Sequence, residues 1–215
     1  MAIDFTLGPD LDAIRLRVRE FIDDVVRPGE HELERLRDED RAEYVGLLIG
    51  MRAKARAAGL WLPHMPAEWG GMGLGHVQLA MVQAEAAKAG YGPWVLNCQA
   101  PDEGNMHTLL HWGTPEQKEK YLRPLCDGTA MSCFAMTEPE VAGSDPTLIR
   151  THAVQDGDEW VANGHKWFIS NARRAKFAIL ICRTEDNPDL PQAANTAFIV
   201  DIPSEGWNRV REVET

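Results

Sequence analysis

The stretch Phe134–Asp145 reads FAMTEPEVAGSD, and the chain changes from helical to β-type patterns just before it. An apolar run, Met131–Met136, leads into it as a strand would, and Pro139 then stops regular structure. Gly143 can adopt backbone angles closed to other residues, which lets the main chain approach a bound group, and Ser144 adds a hydroxyl. The stretch therefore predicts a strand that ends in a ligand-binding loop.

A second stretch, Asn163–Asn171, reads NGHKWFISN. Trp167–Ser170 is a short β-prone run, so the pattern predicts a strand with Phe168 and Ser170 on one face. An aromatic ring beside a hydroxyl suits a flat heterocycle with polar edges. The two stretches together predict one binding site.

The residues before Gly128 have helical patterns. Apolar positions from Leu11 to Val25 recur at three- and four-residue spacing, and we expect Pro28 and Gly29 to end that helix. The charged run that follows, residues 30–43, is interpreted as a solvated surface. Thr114 with Gln117 predicts an N-cap and its capping-box partner. Further helices are predicted over Tyr44–Ala58, His76–Ala87, Pro101–Trp112 and Thr114–Leu125, with a loop over Leu62–Gly75.

Short runs separated by turn residues follow Gly128 and predict strands. Asp156–Asp158 and Asn163–Gly164 are typical of hairpin turns, which favours antiparallel pairing. We therefore expect an α+β fold: an all-α domain at residues 1–129, then a mainly antiparallel β-sheet or partial-barrel domain at residues 130–215, incomplete because the sequence stops soon after its last strand. The predicted strands are CFAM (133–136), THAV (151–154), EWVA (159–162), KWFIS (166–170), FAILICRT (177–184) and TAFIVD (196–201).

Composition excludes several classes of function. The chain has 22 Lys plus Arg and 33 Asp plus Glu, a net charge of -11, and so repels a nucleic-acid backbone. No apolar run approaches the roughly 20 residues of a membrane span, and no signal peptide is evident, which predicts a cytoplasmic protein. The four cysteines lack a CxxC pair, and His107 with His111 lacks both a HExxH glutamate and a third ligand, so no metal site is predicted.

The motif TEPEVAGSD, followed by NGHKWFIS, resembles the flavin-binding signature of the acyl-CoA dehydrogenase family. PAEWGGMGLG (66–75) resembles the family's P-E-x-x-G-G-x-G segment, and GTPEQKEKYLRPLCDG (113–128) resembles the helix leading into its middle β domain. NCQAPDEGNM (97–106), with a TEP motif one residue longer than usual, is most similar to the branch whose animal members carry an added kinase-like domain. The resemblance covers nearly the whole chain but only about half of a family member.

The resemblance implies which residues bind FAD. Thr137 would hydrogen-bond the flavin ring, and Met136 would offer main-chain contact. Ser144 would contact the cofactor or the acyl-CoA substrate. Phe168 stands where most members have Trp, and Ser170 where they commonly have Thr. The full implied cofactor-binding set is Phe134, Ala135, Met136, Thr137, Gly143, Ser144, Phe168, Ile169 and Ser170.

The implied reaction, in lipid metabolism, is α,β-dehydrogenation of an acyl-CoA thioester by FAD, with an electron-transfer protein as acceptor. In the family the base is a Glu of a C-terminal helical domain, and no acid of this chain matches it. We therefore expect no catalytic residue here and no turnover by this polypeptide alone, with Glu138 anchoring the loop. A homo-oligomer or a complementing C-terminal chain is the expected assembly.

Two other functions stay open at this level. The chain could be a non-catalytic flavin- or partner-binding subunit of a split enzyme. It could also keep the fold but act as a flavin monooxygenase or acyl-CoA oxidase, although those relatives less often have the TEP motif.

Overall fold

The computed structural model describes residues 8–37, 39–185, 189–190 and 194–213. The chain divides into two compact units, Met1–Glu103 and Gly104–Thr215. This division falls inside a helix, and the domain boundary predicted after residue 129 stays a prediction.

The first unit is helical, as the apolar spacing predicted. Asp40 caps the third helix by accepting hydrogen bonds from the N–H groups of Ala42 and Glu43, at 2.9 and 3.0 Å. The predicted loop at residues 62–75 is confirmed and contains one 3₁₀ turn, Ala67–Trp69. The helices are α1 (Pro9–Phe21), α2 (Arg27–Leu36), α3 (Arg41–Ala57), α4 (His76–Ala86), α5 (Gly92–Val95) and α6 (Asp102–Trp112), the last of which continues into the second unit.

Pro28 and Gly29 do not end the first helix, so that prediction was wrong. A π turn, Ile22–Val26, joins α1 to α2, and the Arg27 N–H donates to the Ile22 carbonyl oxygen. The wider turn lets Pro28 follow without the clash that its ring makes with a carbonyl in a regular α-helix. The charged segment after it is also more than a solvated surface, because Leu33 and Leu36 of α2 are both buried.

Glu85 of α4 is a buried carboxylate that connects two helices. Arg19 of α1 donates to it at 2.7 Å and Arg15 at 3.0 Å, while Lys88 pairs with its other oxygen. These hydrogen bonds, led by that from Arg19, outweigh the effect of burial and lower the pKa of Glu85 to about 2. The carboxylate therefore stays ionised and holds α1 against α4.

Two short helices separated by a π turn come before the first strand of the second unit. The capping box is confirmed: the Gln117 N–H donates to the Thr114 hydroxyl at 3.2 Å, and the Thr114 N–H donates to the Gln117 side chain at 2.9 Å. A π turn, Lys118–Leu122, again comes just before a proline, Pro124. It lies between the short helices α7 (Pro115–Gln117) and α8 (Arg123–Cys126).

Five of the six predicted strands are present: β1 (Ser132–Ala135), β2 (His152–Asp156), β3 (Glu159–Asn163), β4 (Phe177–Arg183) and β5 (Asn195–Asp201). The sheet is mixed and open. β4 is its centre: β5 runs antiparallel along one edge of β4, and β1 and the start of β2 run parallel to the other. Among the described strands, β3 pairs only with β2, in an antiparallel hairpin.

One predicted hairpin turn is confirmed and the other is wrong. Asp156 pairs with Glu159 across Gly157, whose φ of 62° needs a residue without a side chain. After Asn163 no second strand returns, since residues 164–176, all described, contain none. Gly164 instead packs on Thr151, whose hydroxyl oxygen would lie 2.2 Å from an added Cβ.

Among the described residues, no helix combines the length and apolar character needed to cross a membrane.

Candidate functional site

The end of β1 separates one exposed aromatic residue from the core. Cys133 and Ala135 are buried on one side of the strand, while Phe134 between them is 37% exposed on the other. This alternation follows from the pleat of a strand. Of the predicted cofactor-binding residues, Phe134 thus presents an accessible side chain, whereas Ala135 is almost fully buried.

Thr137 joins the two motifs directly. Its hydroxyl donates to the carbonyl oxygen of Trp167 at 2.7 Å, and the Trp167 N–H donates to the Thr137 carbonyl oxygen at 3.1 Å. The two stretches therefore meet, as predicted for one site. The hydroxyl proton of Thr137 is used inside the protein, so its oxygen is left to accept a hydrogen bond from a ligand.

Glu138 and Lys166 form a buried ion pair beside that contact. The Lys166 ammonium lies 2.8 Å from the Glu138 carboxylate and donates to the Met136 carbonyl oxygen, also at 2.8 Å. The carboxylate accepts two more hydrogen bonds, from the N–H groups of Arg150 at 2.7 Å and Thr151 at 2.8 Å. This network fixes the loop after β1 to the start of the second motif.

The charge of Glu138 is fixed by the same network. Burial alone would raise its pKa, but the hydrogen bonds from Lys166, from Thr151 and from the Arg150 N–H outweigh it and lower the pKa to about 2. A carboxylate held ionised and fully hydrogen-bonded is a poor proton acceptor. The structure agrees with the interpretation of Glu138 as an anchor.

The other acids of the two motifs are also engaged. The Asp145 carboxylate accepts from the Thr147 hydroxyl and N–H at 2.6 and 3.0 Å, which lowers its pKa. Glu140 lies 3.7 Å from the ring nitrogen of His165 on the exposed surface. The pKa of Asp145, like that of Glu138, is lowered, so neither carboxylate is placed as a base.

Phe168 and Ser170 do not lie on a strand, so that prediction was wrong. Phe168 has a φ of 52°, in the left-handed region, and the residue is 61% exposed. The centroid of its ring lies 4.4 Å from that of the Trp167 ring. Asn171 has a φ of 68°. Two left-handed residues in four cannot belong to a strand, and the segment instead turns sharply. The turn still exposes the Phe168 ring and the Ser170 hydroxyl, while Ile169 packs towards Cys133.

Gly143 and Ser144 occupy a turn closed by a hydrogen bond from the Asp145 N–H to the Ala142 carbonyl oxygen at 3.1 Å. Gly143 does not use a positive φ, contrary to the prediction. Its lack of a side chain matters for another reason, because a Cβ there would lie 3.2 Å from the Thr137 methyl group. Ser144 is exposed.

The exposed groups fit the chemistry of a flavin. Phe134 and Phe168 offer aromatic surface, Ser144 and Ser170 offer exposed hydroxyls, and Thr137 offers an acceptor oxygen. These are the groups that a flat heterocycle with polar edges requires.

Lys166 and Trp167 are the residues that the sequence analysis missed. Both act through the main chain of the other motif, and a contact of this kind leaves little trace in local patterns. One signal was available: a Glu in the first motif and a Lys in the second are complementary charges, and burial requires such a pair to meet.

Comparisons with known proteins identify one family over nearly the whole chain. The family model for the N-terminal domain of acyl-CoA dehydrogenase matches residues 8–129, and the model for the middle domain matches residues 133–215. Acyl-CoA dehydrogenase family member 11 of Gallus gallus is 35% identical over 205 residues, which cover 92% of this chain and 26% of the relative. This confirms the resemblance to that branch.

Solved structures share the fold. A structure described as an acyl-CoA dehydrogenase from Mycobacterium abscessus matches with a TM-score of 0.86 and 36% identity, over 98% of this chain and 54% of its own. The glutaryl-CoA dehydrogenase of Mycobacterium smegmatis in complex with FADH2 matches with a TM-score of 0.69 and 24% identity, over 94% and 48%.

The present chain spans about a quarter of the length of the curated relative and about half of these solved chains. It carries the matched helical and sheet portions in sequence order, with the two motifs in contact. On these grounds the chain belongs to the acyl-CoA dehydrogenase family.

Proposed function

We propose that this chain is the flavin-binding part of an FAD-dependent acyl-CoA dehydrogenase. The observation that supports it most is the pair of hydrogen bonds between Thr137 and Trp167, which places both motifs at one surface. Bound FAD would accept the hydride removed from the β-carbon of the acyl group.

The predicted residues would make different kinds of contact with FAD. Phe134 and Phe168 would contact the ring system with their exposed aromatic surfaces, and Ser170 would donate a hydrogen bond to a polar edge. Ser144, in its exposed turn, would contact the cofactor or the acyl-CoA thioester. The main chain at Met136, Gly143 and Ile169 would complete the contact surface.

FAD binding is testable by titration. Purified protein, stripped of flavin, is titrated with FAD and with riboflavin while quenching of flavin fluorescence is followed. We expect saturable FAD binding at one site per chain. No saturation at concentrations well above those of the protein would contradict the proposal.

Proton abstraction needs a carboxylate that these motifs do not supply. Glu138 has a pKa of about 2, and Asp145 is engaged by Thr147. A base for a weak carbon acid needs a raised pKa in a dry pocket. We therefore propose that this 215-residue polypeptide binds FAD without oxidising acyl-CoA, and appreciable acyl-CoA-dependent reduction of an electron acceptor would refute this.

The same observation favours a second candidate, a non-catalytic flavin- or partner-binding subunit of a split enzyme. In both cases the partners proposed are an acyl-CoA, an electron-transfer acceptor protein, and either further copies of the chain or a complementing chain. The two candidates separate on addition of an acyl-CoA dehydrogenase C-terminal helical chain. Restored turnover supports the subunit of a split enzyme, and its continued absence supports the flavin-binding part of a single-chain dehydrogenase.

A further inference from the structure

We propose that Lys166 is a positioning residue for the flavin site, acting from behind it through Met136, Glu138 and Trp167. This inference rests on the proposed flavin-binding function. Lys166 itself is 9% exposed at its side chain, so it is not placed to touch a ligand at the surface.

The Lys166 ammonium group contacts the residues on both sides of Thr137. It donates to the Met136 carbonyl oxygen and to the Glu138 carboxylate, on either side of Thr137. The next residue in the chain, Trp167, exchanges its two hydrogen bonds with Thr137. Lys166 and Trp167 of the second motif thus form hydrogen bonds with three consecutive residues of the first, 136–138, with Thr137 at the centre.

Glu138 connects these two motifs to a third segment of the chain. Its carboxylate, 1% exposed at the side chain, also accepts from the N–H groups of Arg150 and Thr151, the two residues just before β2. Removing the ammonium leaves a buried carboxylate without its counter-charge and the Met136 carbonyl oxygen without its donor. The strand exit and the Trp167–Phe168 turn would then lose their fixed spacing.

Phe168 follows directly after this contact and has a left-handed backbone. Such a conformation persists only where neighbouring contacts hold it. Lys166 and Trp167 supply those contacts on the N-terminal side. Loss of Lys166 would therefore change the position of the exposed Phe168 ring, although the Lys166 side chain itself is largely buried.

The test compares Lys166→Met with Lys120→Met. Met keeps most of the unbranched stem and removes the charge. Lys120 also lies 2.8 Å from a carboxylate in the same unit, that of Asp201, but this pair is exposed, with side-chain exposures of 59% and 53%. We expect FAD affinity to fall by about tenfold or more in Lys166→Met and by less than about twofold in Lys120→Met.

Two further measurements distinguish the positioning role of Lys166 from a merely structural one. Urea unfolding gives the fraction folded, and affinities are compared only where each variant is folded. Visible circular dichroism of bound FAD reports the asymmetry of its surroundings, and we expect it to change in Lys166→Met. Wild-type affinity and an unchanged flavin spectrum in that variant would overturn the proposal.

A second variant covers the case in which Lys166→Met does not fold. Glu138→Gln with Lys166→Met removes both charges and so avoids an unpaired buried ion. We expect the double variant to fold and still to bind FAD about tenfold more weakly than wild type, because the bridge to Met136 is missing. Wild-type affinity in the double variant would overturn the proposal.

Hydrogen exchange distinguishes failure of this inference from failure of the proposed function. In protein without FAD, the amides of Trp167 and Thr151 should exchange faster in Lys166→Met than in wild type, because their acceptors lose their fixed positions. If wild type does not bind FAD, the proposed function fails, and the exchange rates alone decide the positioning role. Unchanged exchange at both amides would overturn it.

Discussion

The Thr137 hydroxyl donates to the Trp167 carbonyl oxygen at 2.7 Å, while the Trp167 N–H donates back to the Thr137 carbonyl oxygen at 3.1 Å. Thr137→Val keeps the shape of the side chain and removes the hydroxyl. We expect FAD affinity to weaken by about 1–2 kcal/mol, because one carbonyl loses its donor and the ligand loses an acceptor. Fluorescence titration measures this change.

Thr137→Ser is the matched control. It keeps the hydroxyl and removes only the methyl group that faces Gly143. FAD affinity should stay close to that of wild type. Equal losses in the Val and Ser variants would show that the effect is not specific to the hydroxyl and would contradict this prediction.

Ser170→Ala tests the hydroxyl of an exposed residue. We expect unchanged stability in urea but FAD binding weaker by about 1–2 kcal/mol, since the ligand would lose a donor. Ser204→Ala, at another exposed serine in the same unit, should change neither quantity. Wild-type affinity in Ser170→Ala would remove Ser170 from the site.

The left-handed backbone of Phe168 makes a prediction about stability alone. At a φ of 52°, Phe168→Gly should be about 1 kcal/mol more stable than Phe168→Ala, because only glycine adopts this region without steric cost. Phe134, another exposed aromatic residue but in β1, should show the opposite order. Urea unfolding of the four variants measures their free energies of unfolding. A Phe168→Ala variant more stable than Phe168→Gly would contradict the left-handed turn.

Glu85 predicts how stability depends on pH. Its pKa falls from 4.5 to about 2 on folding, so its contribution is complete above pH 4.5 and is lost as the pH falls towards 2. The full effect is about 3 kcal/mol by linkage. Unfolding free energies measured between pH 6 and pH 2 should fall less steeply in Glu85→Gln than in wild type.

Glu32 is the control for that experiment. Its carboxylate also pairs with an arginine, Arg35, but both side chains are about half exposed. Exposed pairs contribute little. Glu32→Gln should therefore follow the wild-type pH curve, and a matching change in both variants would point to general charge effects instead.

Most elements of the fold could be predicted because their signals are local. Apolar spacing predicted the helices, and Thr114 with Gln117 predicted a capping box that is present. The sheet order could not be predicted in the same way. β1 pairs in parallel with β4, Ser132 opposite Phe177, and that pairing depends on strands far apart in the sequence.

The candidate site shows the same limit. Residue types predicted where the motifs lie and that they form one site. The strand predicted over Trp167–Ser170 failed because a contact with Thr137, thirty residues earlier, outweighs the β preference of the run. The left-handed angle of Phe168 has no local signal, because it is imposed by tertiary contacts.

The π turn before Pro28 has a consequence for the first helical unit. A π turn holds one residue more than a regular turn, so it rotates everything after it about the helix axis by roughly a quarter of a revolution. Val18 and Phe21 lie before it, and Leu33 and Leu36 after it, and all four are buried. The extra residue keeps two apolar stripes in phase, so deleting one residue between Ile22 and Val26 would turn one stripe towards water while leaving the composition of the core almost unchanged.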